Sequence, residues 1–169
     1  IIRARLTVRG FKDRDKGTLG TYAGTAQRYS QRIVVSEAVI QGWDLCTADV
    51  NKAFLQGVTY EELAKLTGEP IREVNFYLPS ASIPFLKQVE GFETFNPMLE
   101  VLHCDKPGTG LIDAPRAFSM KLNQVTKDTC GLMPTSVDPE LVAKHIAKHL
   151  VALMTKHVDD LKVTGEDEP

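Results

Sequence analysis

Asp159 and Asp160 stand side by side in the run from Val151 to Gly165, with apolar residues leading in and following. That pattern predicts two short strands joined by a tight acidic turn. Neighbours within a strand point to opposite faces, so two adjacent carboxylates converge on one point only at such a bend. Two like charges about 4 Å apart repel by roughly 4 kcal/mol at an effective dielectric near 20. A divalent cation removes that repulsion. An isolated Asp-Asp is most often a solvated turn, so the pair needs a third ligand to carry chemistry. Asp49 is the best candidate, because it closes the strand-like run Trp43–Asp49, although alone it reads sooner as a strand-end turn residue. Three such carboxylates suit two cations about 3.5–4 Å apart, one activating an attacking hydroxyl and the other stabilising the leaving oxygens. Oxygen-only ligands imply Mg²⁺ or Mn²⁺ rather than zinc.

The elements that must position these residues alternate along the chain. Arg3, Arg5 and Arg9 alternate with Ala4, Leu6 and Val8, which predicts a strand with one basic face from Arg3 to Phe11. A polar, glycine-rich loop over 13–25 precedes a helix from about Gln27 to Gln41, closed by Gly42. Thr59 and Glu62 form the signature of a capping box opening a short helix that Gly68 and Pro70 end. Glu73–Leu78 and Glu100–Cys104 read as strands, and residues 80–98, with Pro84, Gly91 and Pro97, as an irregular insertion. Asp113 can N-cap a helix that carries Pro115 in its first turn and runs to about Thr129. Strands begin again at Leu141. Strands separated by helices, with a closing hairpin, predict an α+β fold of split βαβ type.

With 43% hydrophobic and 25% charged residues among 169, the composition is that of one ordinary globular domain. No apolar stretch approaches membrane-spanning length, and the first residue, Ile1 rather than Met, suggests a fragment of a longer polypeptide. Net charge is −2, but residues 1–32 hold eight Lys or Arg against two Asp. A basic opening suits either a polyanion or a solvated arm. Cys46, Cys104 and Cys130 are odd in number and widely spaced, which argues for a reducing compartment and against a disulfide framework or zinc knuckle. His145 and His149 lack the Glu of a zinc-protease motif, and the glycines at 17, 20 and 24 match neither a phosphate loop nor a dinucleotide fingerprint.

Five segments, in order, resemble the reverse transcriptases of Ty1/copia-type retrotransposons. They are Arg3–Phe11, Asp49-Val50-Asn51-Lys52-Ala53-Phe54-Leu55-Gln56-Gly57, Asp113-Ala114-Pro115-Arg116-Ala117-Phe118, Ser136–Leu141 and His157-Val158-Asp159-Asp160. The resemblance implies a polymerase palm, a ferredoxin-like antiparallel sheet with helices on one face (residues 43–169), joined to partial fingers (1–42), with the thumb absent. It implies RNA-directed DNA synthesis from dNTPs on a primed RNA or DNA template, in an intracellular particle or the nucleus, with integrase and RNase H regions on the same polyprotein. Asp49, Asp159 and Asp160, with the Val50 carbonyl, would hold two Mg²⁺ or Mn²⁺ ions. Phe54 would exclude a 2′-hydroxyl. Arg3 and Arg5 would face triphosphate or template, Ala114 and Pro115 would border the nucleotide, and His157 and Arg116 would meet primer and template.

Several residues depart from that family's pattern. His157 replaces a Tyr, Ile112 and Asp113 stand in for Lys and Gln, and the stretch between Gly57 and Leu102 is longer than usual, consistent with an insertion around 80–98. A fragment of this kind is expected to polymerise weakly or not at all by itself. The alternatives are an inactive transposon remnant, a nucleic-acid-binding module on the same scaffold, and an unrelated two-metal nuclease or nucleotidyl cyclase. The chain lacks the aromatic RNP strand motif of RNA-recognition modules, and Phe54 with the basic opening strand favours the polymerase over the nuclease.

Overall fold

The computed structural model describes residues 7–15 and 17–166. Helix α1, Arg28–Gln41, buries Ser30, Val34 and Ala38, positions four apart that share one helical face. Gly42 ends it at φ 71°, a left-handed conformation that glycine adopts without a Cβ clash. Strand β1, Leu45–Asp49, follows, and then α2, Tyr60–Thr67. The capping box of α2 is present in full. The Glu62 amide donates to the Thr59 hydroxyl at 3.1 Å, and the Thr59 amide donates to the Glu62 carboxylate at 2.9 Å. Short strands β2 (Val74–Phe76) and β3 (Leu102–Cys104) pair with each other, flanking an insertion that contains the single-turn helix α3, Ile83–Leu86. Helix α4, Ala114–Gln124, runs on into a π-helical turn at Val125–Thr129. Strands β4 (Met133–Pro134), β5 (Leu141–Ile146), β6 (His149–His157) and β7 (Asp160–Gly165) complete the chain.

The main sheet has the order β1-β7-β6-β5-β4, and every neighbouring pair is antiparallel. Strands β1 and β6 therefore run parallel with β7 inserted between them, the arrangement of a split βαβ unit. Apolar residues are buried on both faces of the sheet. Leu141, Ala143 and Leu153 pack on Val34 of α1, whereas Val142 and Met154 on the opposite face pack on Leu132, beyond α4. The reason lies in β5 and β6, which carry apolar residues at consecutive positions and so have two faces to bury.

The predicted basic strand is not formed where it is described. Arg3 and Arg5 lie outside the described residues, and Gly10–Lys12 makes a 3₁₀ turn. This segment instead crosses a loop, with the Val8 amide donating to the Thr109 carbonyl at 2.9 Å and the Gly10 amide to the Gly110 carbonyl at 3.1 Å. The backbones approach so closely that a Cβ at Gly110, where φ is 97°, would lie 2.1 Å from the Val8 oxygen.

Asp113 precedes α4 as predicted, but its side chain caps nothing. It turns inward to Arg72, which also binds Asp13, with Asp15 3.8 Å away. Arg72 is 11% exposed at its side chain, Asp13 7% and Asp113 2%. One guanidinium thus joins the segment after the first 3₁₀ turn to the start of α4. Its carbon also lies 5.8 Å from the centre of the Tyr60 ring. Burial, and then the neighbouring Asp113 charge, push the Tyr60 phenol upward, so it remains a neutral hydroxyl.

A second buried carboxylate anchors α1. Asp138 accepts hydrogen bonds from the Gln27 amide at 2.9 Å, the Ser30 hydroxyl at 2.5 Å and the Glu140 amide at 3.0 Å. It therefore holds the start of α1, where Gln27 at the cap position makes no side-chain cap bond.

Two outcomes follow from these carboxylates. Arg72→Met leaves Asp13 and Asp113 without their counter-ion and should cost about 3–5 kcal/mol in urea unfolding. Adding Asp113→Asn should recover part of that loss. Burial would raise the Asp138 pKa, but the Ser30 hydroxyl, the Gln27 and Glu140 amides and the Lys156 charge together hold it below its ordinary value. Since the folded-state value is the lower one, this contribution is complete above the ordinary Asp pKa near ~4. It should fade as pH falls through the depressed value, and Asp138→Asn should flatten stability against pH in that acid window.

Candidate active site

The β6–β7 connection consists of Val158 and Asp159 alone, since His157 pairs with Asp160. Of the two, only Val158 has positive φ, at 59°, the sign pattern of a type II′ hairpin turn, whose first position ordinarily takes glycine. A β-branched residue there is strained. Strain of about 1–3 kcal/mol persists only where the surroundings enforce it, and here both flanks of the hairpin are braced. On one side β1 pairs with β7 from Leu45–Thr164 to Asp49–Asp160, and the Val50 amide donates to the Asp159 carbonyl at 3.0 Å. On the other, Thr25 bridges to His157, and the Ala26 amide donates to the Lys156 carbonyl at 2.9 Å.

Beneath the hairpin, the buried Lys156 ammonium sits 3.1 Å from the Glu140 carboxylate and also donates to Asn123 near the end of α4. Gly24 passes so near that a Cβ would fall 2.0 Å from a Glu140 oxygen. This pair ties β6, the start of β5, α4 and the segment leading to α1 into one support.

Register decides which carboxylates meet. Asp49 and Asp160 are cross-strand partners, so their side chains share the face of the sheet on which α1 lies. With His157, Thr47, Lys162 and Gln31 they line a cleft of about 550 Å³. Asp159 occupies the turn and does not line this cleft. Among the described residues none of the three aspartates forms an ion pair or a side-chain hydrogen bond, and no group of three His, Cys, Asp or Glu side chains comes together as a metal site. The donor set is the oxygen set that Mg²⁺ or Mn²⁺ prefers. Its negative charge has no described partner, and the backbone brings all three aspartates to one corner. The donor chemistry suits such cations, while the described side chains are not gathered around a point.

The other predicted site residues fall in varied places. Phe54 is half-buried in a 3₁₀ turn, Ala53–Gln56, that packs against α4. Gly57 permits that packing, because a Cβ there would lie 3.1 Å from backbone atoms of Ala117 and Phe118. Ala114 is fully buried, so it has no surface to offer a nucleotide, while Pro115 is partly exposed in the first turn of α4. Arg116 was expected to meet template. It is instead held by a bidentate pair with Glu69 at 2.9 and 3.0 Å and donates to the Gly20 carbonyl at 3.1 Å. His157 is exposed at the cleft.

Lys162 was missed. It stands two residues beyond Asp160 on one strand and opposite Thr47, and period-two alternation alone was enough to place it on the aspartate face.

Over 166 residues, 98% of its length, the chain is 27% identical to the Retrovirus-related Pol polyprotein from transposon RE1 of Arabidopsis thaliana. It is 26% identical to the corresponding polyprotein from transposon RE2 of the same plant, and 26% identical over 167 residues to that from transposon TNT 1-94 of Nicotiana tabacum. The chain is similar to a segment of retrotransposon Pol polyproteins. It spans about a tenth of the length of these curated relatives. No family model and no solved structure matches it. Among the described residues no helix is long and apolar enough to cross a membrane.

The strain lies in the two-residue turn itself, at Val158. Val158→Gly should relieve the left-handed φ and raise stability by about 1 kcal/mol, read from the urea midpoint. A lowered midpoint would show that packing of the half-buried Val158 side chain outweighs the strain.

Proposed function

We propose that the chain is the fingers–palm portion of a Ty1/copia-type reverse transcriptase and transfers nucleotides from dNTPs to a primer 3′-hydroxyl. One observation carries the reading. In a chain similar to Pol polyproteins over 98% of its length, Asp49 is the cross-strand partner of Asp160, and the Val50 amide is bonded to Asp159 in the turn. Two Mg²⁺ or Mn²⁺ ions, when bound, would supply activation of the primer hydroxyl and stabilisation of the triphosphate charge.

Asp49, Asp159 and Asp160, with the Val50 carbonyl, would hold those ions. Lys162, on the same face, would offset part of the acidic charge in their absence. Phe54 would close the pocket against a 2′-hydroxyl, and Pro115 would shape its border. Arg3 and Arg5 would orient phosphates. His157, in place of the family's Tyr, would present a planar ring to the primer end without a phenol. A template role for Arg116 requires its exchange from Glu69, so it acts first as a brace.

A catalytically inactive remnant is the second reading. It is favoured by the absence of a gathered three-carboxylate group among the described residues and by His157. Primer extension on an RNA template, by the chain within a longer Pol segment, separates the two. Activity with Mg²⁺ or Mn²⁺ that falls to background in Asp49→Asn and Asp159→Asn supports the enzyme. Extension unchanged by Asp159→Asn would sink the mechanism, and no extension by the parent would establish the remnant. In an active segment, Phe54→Ala should lower discrimination against ribonucleotides by roughly tenfold or more.

A further inference from the structure

The registers of β1, β7 and β6 set the side chains of the aspartate cleft in rows, because cross-strand partners share a face. Asp49, Asp160 and His157 form the row beside the turn, and Thr47, Lys162 and Thr155 form the next. All of them line the cleft, and Gln31 of α1 joins them. Lys162 therefore stands in the middle of the second row. It lies one step of about 7 Å behind Asp160 along the strand and about 7–8 Å from Asp49 on the diagonal.

Within its own row the ammonium finds no opposite charge. Thr47, Thr155 and Gln31 are uncharged, and the carboxylates on the cleft walls are those of Asp49 and Asp160. Lys162 is half-buried and forms no ion pair among the described residues. A charge withdrawn from water costs free energy unless an opposite charge faces it. The flexible four-carbon stem of a lysine is long enough to carry its ammonium across one row, so rotation about the side-chain bonds brings it to either aspartate. The two aspartates are equally in need of a partner, since they share a face and repel each other.

We infer that Lys162 is a tethered counter-ion of Asp49 and Asp160, which a divalent cation has to displace in order to bind. Before the cation arrives, the ammonium offsets the repulsion between the two carboxylates. Once both carboxylates face a divalent ion, the ammonium is left beside a like charge, and the net gain on binding is smaller by that repulsion and by the contact given up. Lys162 thus sets the concentration of divalent ion at which the cleft fills. It is a positioning residue, acting on the carboxylates rather than on a substrate. The inference rests on the cation site of the proposed function and adds to it the residue that limits its affinity.

Mn²⁺ binding to the 169-residue chain, followed by the electron paramagnetic resonance of the free ion, tests this directly. Lys162→Met keeps an unbranched side chain and removes the charge, and should bind Mn²⁺ about tenfold more tightly than the parent. Lys162→Arg retains the charge and should bind as the parent does. Adding Asp49→Asn to Lys162→Met should abolish the gain. In urea unfolding, Mn²⁺ should raise the midpoint of Lys162→Met further than that of the parent, a difference that altered packing alone does not produce. The inference is overturned if Lys162→Met binds Mn²⁺ no more tightly than the parent, if Lys162→Arg shares the gain, or if the gain survives Asp49→Asn. Neither template nor nucleotide is present, so the outcome is separate from that of primer extension. The expected Mn²⁺ pattern in a chain that extends no primer would overturn nucleotide transfer and uphold the counter-ion.

Discussion

Only Val158 and Asp159 separate β6 from β7, and that tightness governs the rest of the sheet. A two-residue turn permits one register, His157 against Asp160, and the positive φ of Val158 is its local signature. From that register β7 presents Leu161 and Val163 to one side and Asp160, Lys162 and Thr164 to the other. Strand β1 then takes its own alignment from β7, which is why Asp49 faces Asp160. A slip of one residue would send both charged residues of β7 to the opposite side and expose its apolar pair. The energetics of burial and the chemistry of the carboxylates therefore depend on the same alignment.

That alignment is held by polar contacts that are distant in sequence. Asp138 binds the start of α1, and Glu140, two residues on, binds Lys156 just before the hairpin. A short stretch, 138–140, thus links the helix on one face to the strand that carries the turn. Arg72 does the equivalent for the other half of the chain, joining Asp13 to Asp113. Buried pairs of this kind add little net stability when complete and cost much when broken. They act as alignment devices more than as a source of folding energy.

How much of this could be read beforehand follows from the range of each interaction. The bounds of α1, the capping box of α2 and the acidic turn depend on residues within a few positions of one another, and all were legible. Asp113 was placed at the right position with the wrong role, because its partner Arg72 lies 41 residues away. Asp138 stood in a motif that the sequence singled out, yet its bond to Ser30 spans 108 residues and leaves no local trace. The alternation around Arg9 was misread as a strand, since nothing nearby reveals that Gly110 will fold against it. The same limit hid the second covered face of the sheet, although the consecutive apolar residues of β5 and β6 signalled it. Asp49 was legible as a strand-end carboxylate, but its pairing with Asp160 rather than with Asp159 required the register.

Strand β1 has one further consequence. All five of its residues are exposed and, among the described residues, β7 alone flanks it, so its outer row of amides and carbonyls lies at the margin of the described sheet. Its sequence, Leu45-Cys46-Thr47-Ala48-Asp49, contains neither the proline nor the lysine with which proteins commonly guard such a margin. The strand that carries Asp49 is thus also an unguarded edge of the described sheet. At high concentration the described sheet is a template for strand-to-strand association between copies, and whatever covers that margin also screens the aspartate from its neighbours.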